Sequence, residues 1–144
     1  MAPGFASPAP VRAVLETCLY ARDLDAAAHF YGDLLGLEEV SREEGRHVFF
    51  RCGAQMVLVF DPEATAKPDG TLPPHGAHGP GHVAFAAEDA QLEAWRERLE
   101  AHGVPIDDTV TWGEAGRSLY VRDPAGNSVE LAPPSLWIED AEAR

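Results

Sequence analysis

An internal repeat constrains this chain more than any other feature. Leu15-Glu16-Thr17-Cys18-Leu19 and Gly81-His82-Val83-Ala84-Phe85 each open the same succession of patterns. With one copy laid on the other, His82 falls on Glu16, and seven residues later Asp89 falls on Asp23, each starting a helical pattern. The helical patterns stop at Gly36 and Gly103, and Val48-Phe49-Phe50-Arg51 aligns with Leu119-Tyr120-Val121-Arg122. Eight residues past the two arginines stand Val59 and Glu130. A duplicated unit folded about a pseudo-two-fold brings matching residues to one centre, so Glu16, Val59, His82 and Glu130 are expected at four equivalent positions. Three of the four have side chains that bind metals.

Each copy reads as β-α-β-β-β. Alternation over residues 11–20 makes a strand with Val14, Glu16, Cys18 and Tyr20 on one face. Asp23 caps a helix over about residues 24–35, with Ala27, Phe30, Tyr31 and Leu34 as its apolar stripe and Gly36 as its stop. Strands follow over residues 37–40, 47–51 and 55–60. The second copy has a strand at 82–86 and a helix over about 90–102 with Leu92, Trp95 and Leu99 buried. A strand then begins at Val104-Pro105-Ile106, and strands 118–122 and 128–131 flank the turn Asp123-Pro124-Ala125-Gly126-Asn127.

The chain thus divides into a loose arm (1–10), a first module (11–61), a Pro/Gly/His-rich linker (62–80), a second module (81–133) and an acidic tail (134–144). His75 and His78, set among Pro and Gly, read as solvated linker residues. A β-α-β-β-β unit leaves one sheet face open, so the units must bury against each other or against another chain. The fold class is α+β: two tandem β-α-β-β-β modules forming a cupped mixed sheet with helices outside. Within the strands, Glu130 shares a face with Ser128, opposite Val129 and Leu131. His82 shares one with Ala84 and Ala86, opposite Val83 and Phe85. The bulky faces are expected to form helix-covered core and the small-lined faces a cavity wall.

The formal net charge of −13 argues against a nucleic-acid or anionic-membrane partner, because phosphate binding needs concentrated Lys and Arg. No apolar run reaches a membrane-spanning length, and residues 1–10 lack the charged and apolar regions of a secretory signal, so a cytoplasmic protein is expected. Cys18 and Cys52 are then expected as reduced thiols. Glu16 beside Cys18 disfavours a thiolate, which argues against a cysteine nucleophile.

In Tyr20-Ala21-Arg22-Asp23-Leu24, Phe30-Tyr31, Leu35-Gly36-Leu37, Gly81-His82-Val83-Ala84-Phe85 and the run from Leu119 through Asp123-Pro124-Ala125-Gly126-Asn127 to Leu131, the chain resembles the vicinal oxygen chelate superfamily. That superfamily includes glyoxalase I, extradiol dioxygenases, fosfomycin-resistance enzymes and bleomycin-binding proteins. The resemblance covers residues 14–132 and implies paired modules around a cupped sheet, a homodimer, and one divalent metal ion per site in the enzymatic members. Carried over position by position, Glu16 stands at the first ligand position, His82 at the histidine opening the second module, and Glu130 at the glutamate of the closing strand. Val59 takes the slot where glyoxalase I has a glutamate. Two carboxylates and an imidazole with open positions suit Mn, Fe, Zn, Co or Ni.

Ser118 and Tyr120 resemble residues that reach substrate oxygens in the fosfomycin-resistance relatives, and His47 and Phe49 are their first-module counterparts. Trp112 and Arg117 are candidates for closing the cavity mouth. Glu130 and Tyr120 are the catalytic candidates. The implied function is a divalent-metal-dependent lyase, isomerase or transferase whose small-molecule substrate chelates the metal through two adjacent oxygens. Dioxygenation fits less well, since a two-histidine, one-carboxylate ligand set is absent. The alternative is a non-catalytic small-molecule or drug-binding protein of the bleomycin-resistance type, for which the acidic charge would suit a cationic drug.

Overall fold

The computed structural model describes residues 4–139; the end of the acidic tail lies outside the described residues. The first module runs β1 (Glu16–Tyr20), α1 (Leu24–Ala27, continuing as a π-helical segment Ala28–Leu34), β2 (Glu38–Glu43), β3 (His47–Cys52) and β4 (Gln55–Phe60). A short helix α2 (Pro62–Ala66) follows. The second module runs β5 (His82–Ala86), α3 (Leu92–Ala101), β6 (Asp108–Thr111), β7 (Arg117–Arg122) and β8 (Ser128–Ala132). The strands form two separate four-stranded mixed sheets, ordered β1-β4-β3-β2 and β5-β8-β7-β6. In each, the first and last strands of the module pair parallel and the remaining pairs are antiparallel.

Register corrects the sequence alignment at one place. Glu16 pairs with Met56 and Cys18 with Leu58, while His82 pairs with Ser128 and Ala84 with Glu130. The counterpart of Glu130 is therefore Leu58, not Val59. The cause is turn length: Arg51 pairs with Met56, but Arg122 pairs with Ser128, one residue further along. A one-residue offset moves a strand side chain to the other face of the sheet. Val59 accordingly lies opposite Val48 in the core, both fully buried.

The bulky faces do meet. Leu19, Phe30, Tyr31, Val48 and Phe50 join Leu99, Leu119, Val121, Val129 and Leu131 in one continuous core shared by the two modules. Burying a side chain of this size stabilises by about 1.5–3 kcal/mol. Exposed ion pairs such as Arg22–Glu63 contribute about 0–1 kcal/mol. The shared core, not surface charge, holds the halves together.

Asp23 caps α1 as expected, its carboxylate accepting from the Ala26 amide at 2.9 Å. The expected α-helix over 24–35 instead widens into its π-helical part, which buries Phe30, Tyr31 and Leu34 together. Asp89 does not repeat the capping role; its carboxylate accepts from the Arg117 amide at 3.0 Å and from the Arg117 guanidinium at 3.1 Å. The Val104 N–H donates back to the Leu99 carbonyl at 2.9 Å, closing the end of α3, and the next strand starts only at Asp108.

The linker is more ordered than its composition suggests. Asp61 caps α2, with Pro62 in the first turn where a missing N–H costs nothing. Gly76 lies so near the Pro62 carbonyl that a Cβ would approach it to 2.6 Å. His75 is not merely solvated: its Nδ1 bonds the Tyr20 hydroxyl at 2.7 Å and its ring meets Phe60 edge-on at 4.7 Å.

A buried polar network joins the halves through the Asp123–Asn127 turn. The Tyr31 hydroxyl donates to Asp123 Oδ2 at 2.7 Å, and Asn127 Nδ2 donates to the same oxygen at 2.9 Å. Asn127 Oδ1 accepts from the Gly81 amide at 2.8 Å, next to His82, and Nδ2 reaches the Tyr20 carbonyl at 3.2 Å. This turn therefore fixes where β5 and β8 begin. Among the described residues no helix is long and apolar enough to cross a membrane.

Candidate metal centre

The second sheet places Ala84, Glu130, Tyr120 and Asp108 in one row across its four strands. Glu130 is only 6% exposed. A buried carboxylate needs a hydrogen-bond donor to offset lost hydration. The Tyr120 hydroxyl donates to Glu130 Oε1 at 2.8 Å. Burial, then the bond to Glu130 and its charge, pushes the Tyr120 pKa up to about 12, so the phenol stays a donor. On the other side, His82 Nε2 lies 3.3 Å from Glu130 Oε2.

His82 is oriented from behind. Its Nδ1 lies 3.1 Å from the Ser128 carbonyl, the residue it faces across β5 and β8. A carbonyl only accepts, so Nδ1 carries the hydrogen and Nε2 is the ring nitrogen turned toward Glu130. The His82 ring also stacks over Tyr120 with centroids 6.3 Å apart.

Glu16 is not part of this group. It stands on β1 of the other sheet, and among the described residues no three His, Cys, Asp or Glu side chains gather in a metal-holding cluster. Glu16 instead lines a cavity of about 700 Å³ with His47, Phe49, Leu58, Phe60 and His75. There the His47 ring stacks on Phe49 with centroids 3.9 Å apart. His47 Nε2 lies 3.2 Å from the Ser41 hydroxyl, while its buried Nδ1 has no hydrogen-bond partner. Burial lowers the His47 pKa, outweighing the opposite pull of Glu43, whose carboxylate lies 3.8 Å from Nδ1.

The other candidates divide between these faces. Ser118 is fully buried and its hydroxyl accepts from Trp112 Nε1 at 2.7 Å, so the two form one unit beside Tyr120. Arg117 is held by Asp89. Cys18 and Cys52 are free thiols. Burial, and then Glu16, raises the Cys18 pKa, in line with the absence of a nucleophile. Sequence reasoning missed Leu58, Phe60 and His75 as cavity residues. The shorter β3–β4 turn was the available signal for Leu58; nothing local marked His75.

The sequence profile of the Glyoxalase/Bleomycin resistance protein/Dioxygenase superfamily matches residues 13–131. The chain belongs to this superfamily. Within the glyoxalase superfamily, it is 47% identical to a solved lactoylglutathione lyase from Agrobacterium tumefaciens, with a TM-score of 0.85 over 90% of this chain and 98% of that one. It is 27% identical to the catechol-2,3-dioxygenase of Bacillus subtilis over 86% of its own length, but spans only 43% of that protein. The fosfomycin resistance protein FosX of Listeria monocytogenes, solved as a variant complexed with Mn(II) and 1S,2S-dihydroxypropylphosphonic acid, shares the fold. Its TM-score is 0.65 at 19% identity, covering 85% of this chain and 90% of that one.

Proposed function

We propose that this glyoxalase-superfamily chain is a divalent-metal-dependent enzyme of the lyase, isomerase or transferase type. Its substrate is a small molecule that binds the metal through two adjacent oxygens. The observation that carries this reading is the approach of His82 Nε2 to Glu130 Oε2 at 3.3 Å, each group also held by a second bond. An imidazole nitrogen and a carboxylate oxygen, both oriented by outer hydrogen bonds, fit the donor set of a mixed N/O metal site. The 47% identity to the Agrobacterium lactoylglutathione lyase supports the lyase class in particular.

The third ligand in this reading is Glu16 of a second copy, in a homodimer. Within one chain the bulky faces share a core, while Glu16 and Cys18 on β1, and His82, Ala84 and Ala86 on β5, remain exposed. Two copies that bring first-module and second-module faces together would complete the cup. When bound, Mn, Fe, Zn, Co or Ni would neutralise negative charge developing on a substrate oxygen. The chain's own residues do the rest. Ser128 fixes the His82 ring, Tyr120 holds one Glu130 oxygen, and Glu130 is placed to take and return a substrate proton.

Mixing variants tests the shared site. Glu16→Ala and Glu130→Ala proteins are each expected to lose metal on elemental analysis. After subunit exchange the mixture should regain about a quarter of a metal ion per chain, because each mixed dimer has one intact site. Wild type without metal after loading would overturn the enzyme reading. Metal in the wild type with no regain on mixing would overturn the shared site.

A further inference from the structure

Resting on that reading, we propose that Trp112 is a positioning residue for Glu130: its indole N–H orders the Ser118 and Tyr120 hydroxyls into a one-way hydrogen-bond chain that ends on the Glu130 carboxylate. The two ends fix the direction. Trp112 Nε1–H can only donate, and it lies 2.7 Å from Ser118 Oγ. At the other end Glu130 Oε1 accepts from the Tyr120 hydroxyl at 2.8 Å. Ser118 is fully buried, so the hydrogen of its own hydroxyl must find an acceptor inside the protein. Tyr120, two residues on and on the same face of β7, is that acceptor. Burial first, then the bond to Glu130, raises the phenol's pKa, and the hydrogen bond from Ser118 opposes them, the direction a donor gives. Each hydroxyl thus passes its hydrogen toward Glu130, and bonds in series strengthen one another.

The β6–β7 turn holds the indole in place. The Trp112 amide donates to the Gly116 carbonyl at 2.8 Å, and the Ala115 amide donates to the Trp112 carbonyl at 3.1 Å. From outside the turn, the Ser135 hydroxyl donates to the Ala115 carbonyl at 2.8 Å, and Asp89 holds the Arg117 amide. Gly116 has φ +108°, and a Cβ there would come within 3.3 Å of Asp89 Oδ1, so this anchor requires glycine. Trp112 itself is 38% exposed, and its one polar atom is committed to Ser118. The residue expected at the cavity mouth therefore works through its N–H. On the first sheet Phe49 and Leu58 stand where Tyr120 and Glu130 do, and neither can carry a hydroxyl chain. The chain is confined to the face that holds the proposed ligands.

The test has two readouts, one of them free of metal. In metal-free protein the Trp112 indole N–H resonance, assigned by its loss in Trp112→Phe, is expected to move in Tyr120→Phe. That variant keeps the ring, so the shift reports the missing hydroxyl, and an unmoved resonance would overturn the chain. In calorimetric titration with Mn(II), Trp112→Phe should lower affinity about threefold in the wild-type background. It should change nothing in the Tyr120→Phe background, because only that hydroxyl transmits the effect. A residue that merely props the turn would cost the same in both backgrounds. That result, or no loss in either, would overturn the positioning role. Ser118→Ala breaks the chain in its middle while keeping the indole, and should show the same dependence on Tyr120. An indole resonance that responds to Tyr120→Phe in a protein that takes up no metal would overturn the metal reading while supporting the chain.

Discussion

The two open sheet faces have the same backbone plan and opposite chemistry. On the first, the row across the sheet is Cys18, Leu58, Phe49 and Ser41; on the second it is Ala84, Glu130, Tyr120 and Asp108. The first row is aromatic and aliphatic beside a half-buried histidine, and a segment after α2 lines it through His75. The second centres on a buried carboxylate with a tyrosine hydrogen-bonded to it and a histidine nitrogen 3.3 Å away. The two modules share a scaffold and carry different side chains on it. In the proposed function the second face holds the metal.

Making one face resemble the other is the direct way to break this comparison. Glu130→Leu copies Leu58 into the second sheet. Its expected effect is the largest: metal affinity should fall on the order of a hundredfold or more, because a ligand is lost. Folding should survive with a loss of about 1–3 kcal/mol, since the Tyr120 hydroxyl loses its acceptor. Calorimetric metal titration beside a thermal melt checks both halves, and unchanged affinity would remove Glu130 from the site. Tyr120→Phe copies Phe49 and should cost about tenfold in metal affinity, as loss of an outer hydrogen bond does. An unchanged affinity would reduce Tyr120 to a space-filling residue.

A smaller effect sharpens the comparison from the first face. Burial lowers the His47 pKa below the usual histidine value of about 6.5. As pH falls through 6.5 the unfolded chain takes up its proton first, so stability contributed by the neutral buried ring is present above 6.5 and lost below it. His47→Phe should therefore flatten the fall of melting temperature on acidification. A His47 resonance titrating at or above the ordinary histidine value would contradict the effect of its burial.

Much of this was legible in the chain itself. Alternation placed Glu130 with Ser128 and His82 with Ala84 on their faces, and Asp23 announced the start of α1, because strand period and helix capping are local rules. The superfamily was within reach for the same reason. The misplacement of Val59 for Leu58 shows the limit: a hairpin one residue shorter changes the face of everything beyond it, and only the strand register records that. His75 could not be assigned either, since its partners Tyr20 and Phe60 are distant in sequence.

The sequence by itself determined the two modules, their faces and the residue types available for chemistry. The tertiary structure decided which of those residues meet. It joined the bulky faces through one core and the Tyr31–Asp123–Asn127 network. It set His82 against Glu130, left Glu16 on a separate sheet, and buried a His47 nitrogen without a hydrogen bond. The physical reason is that periodicity fixes which way a side chain faces along its own strand, whereas proximity between distant strands follows from how whole faces pack.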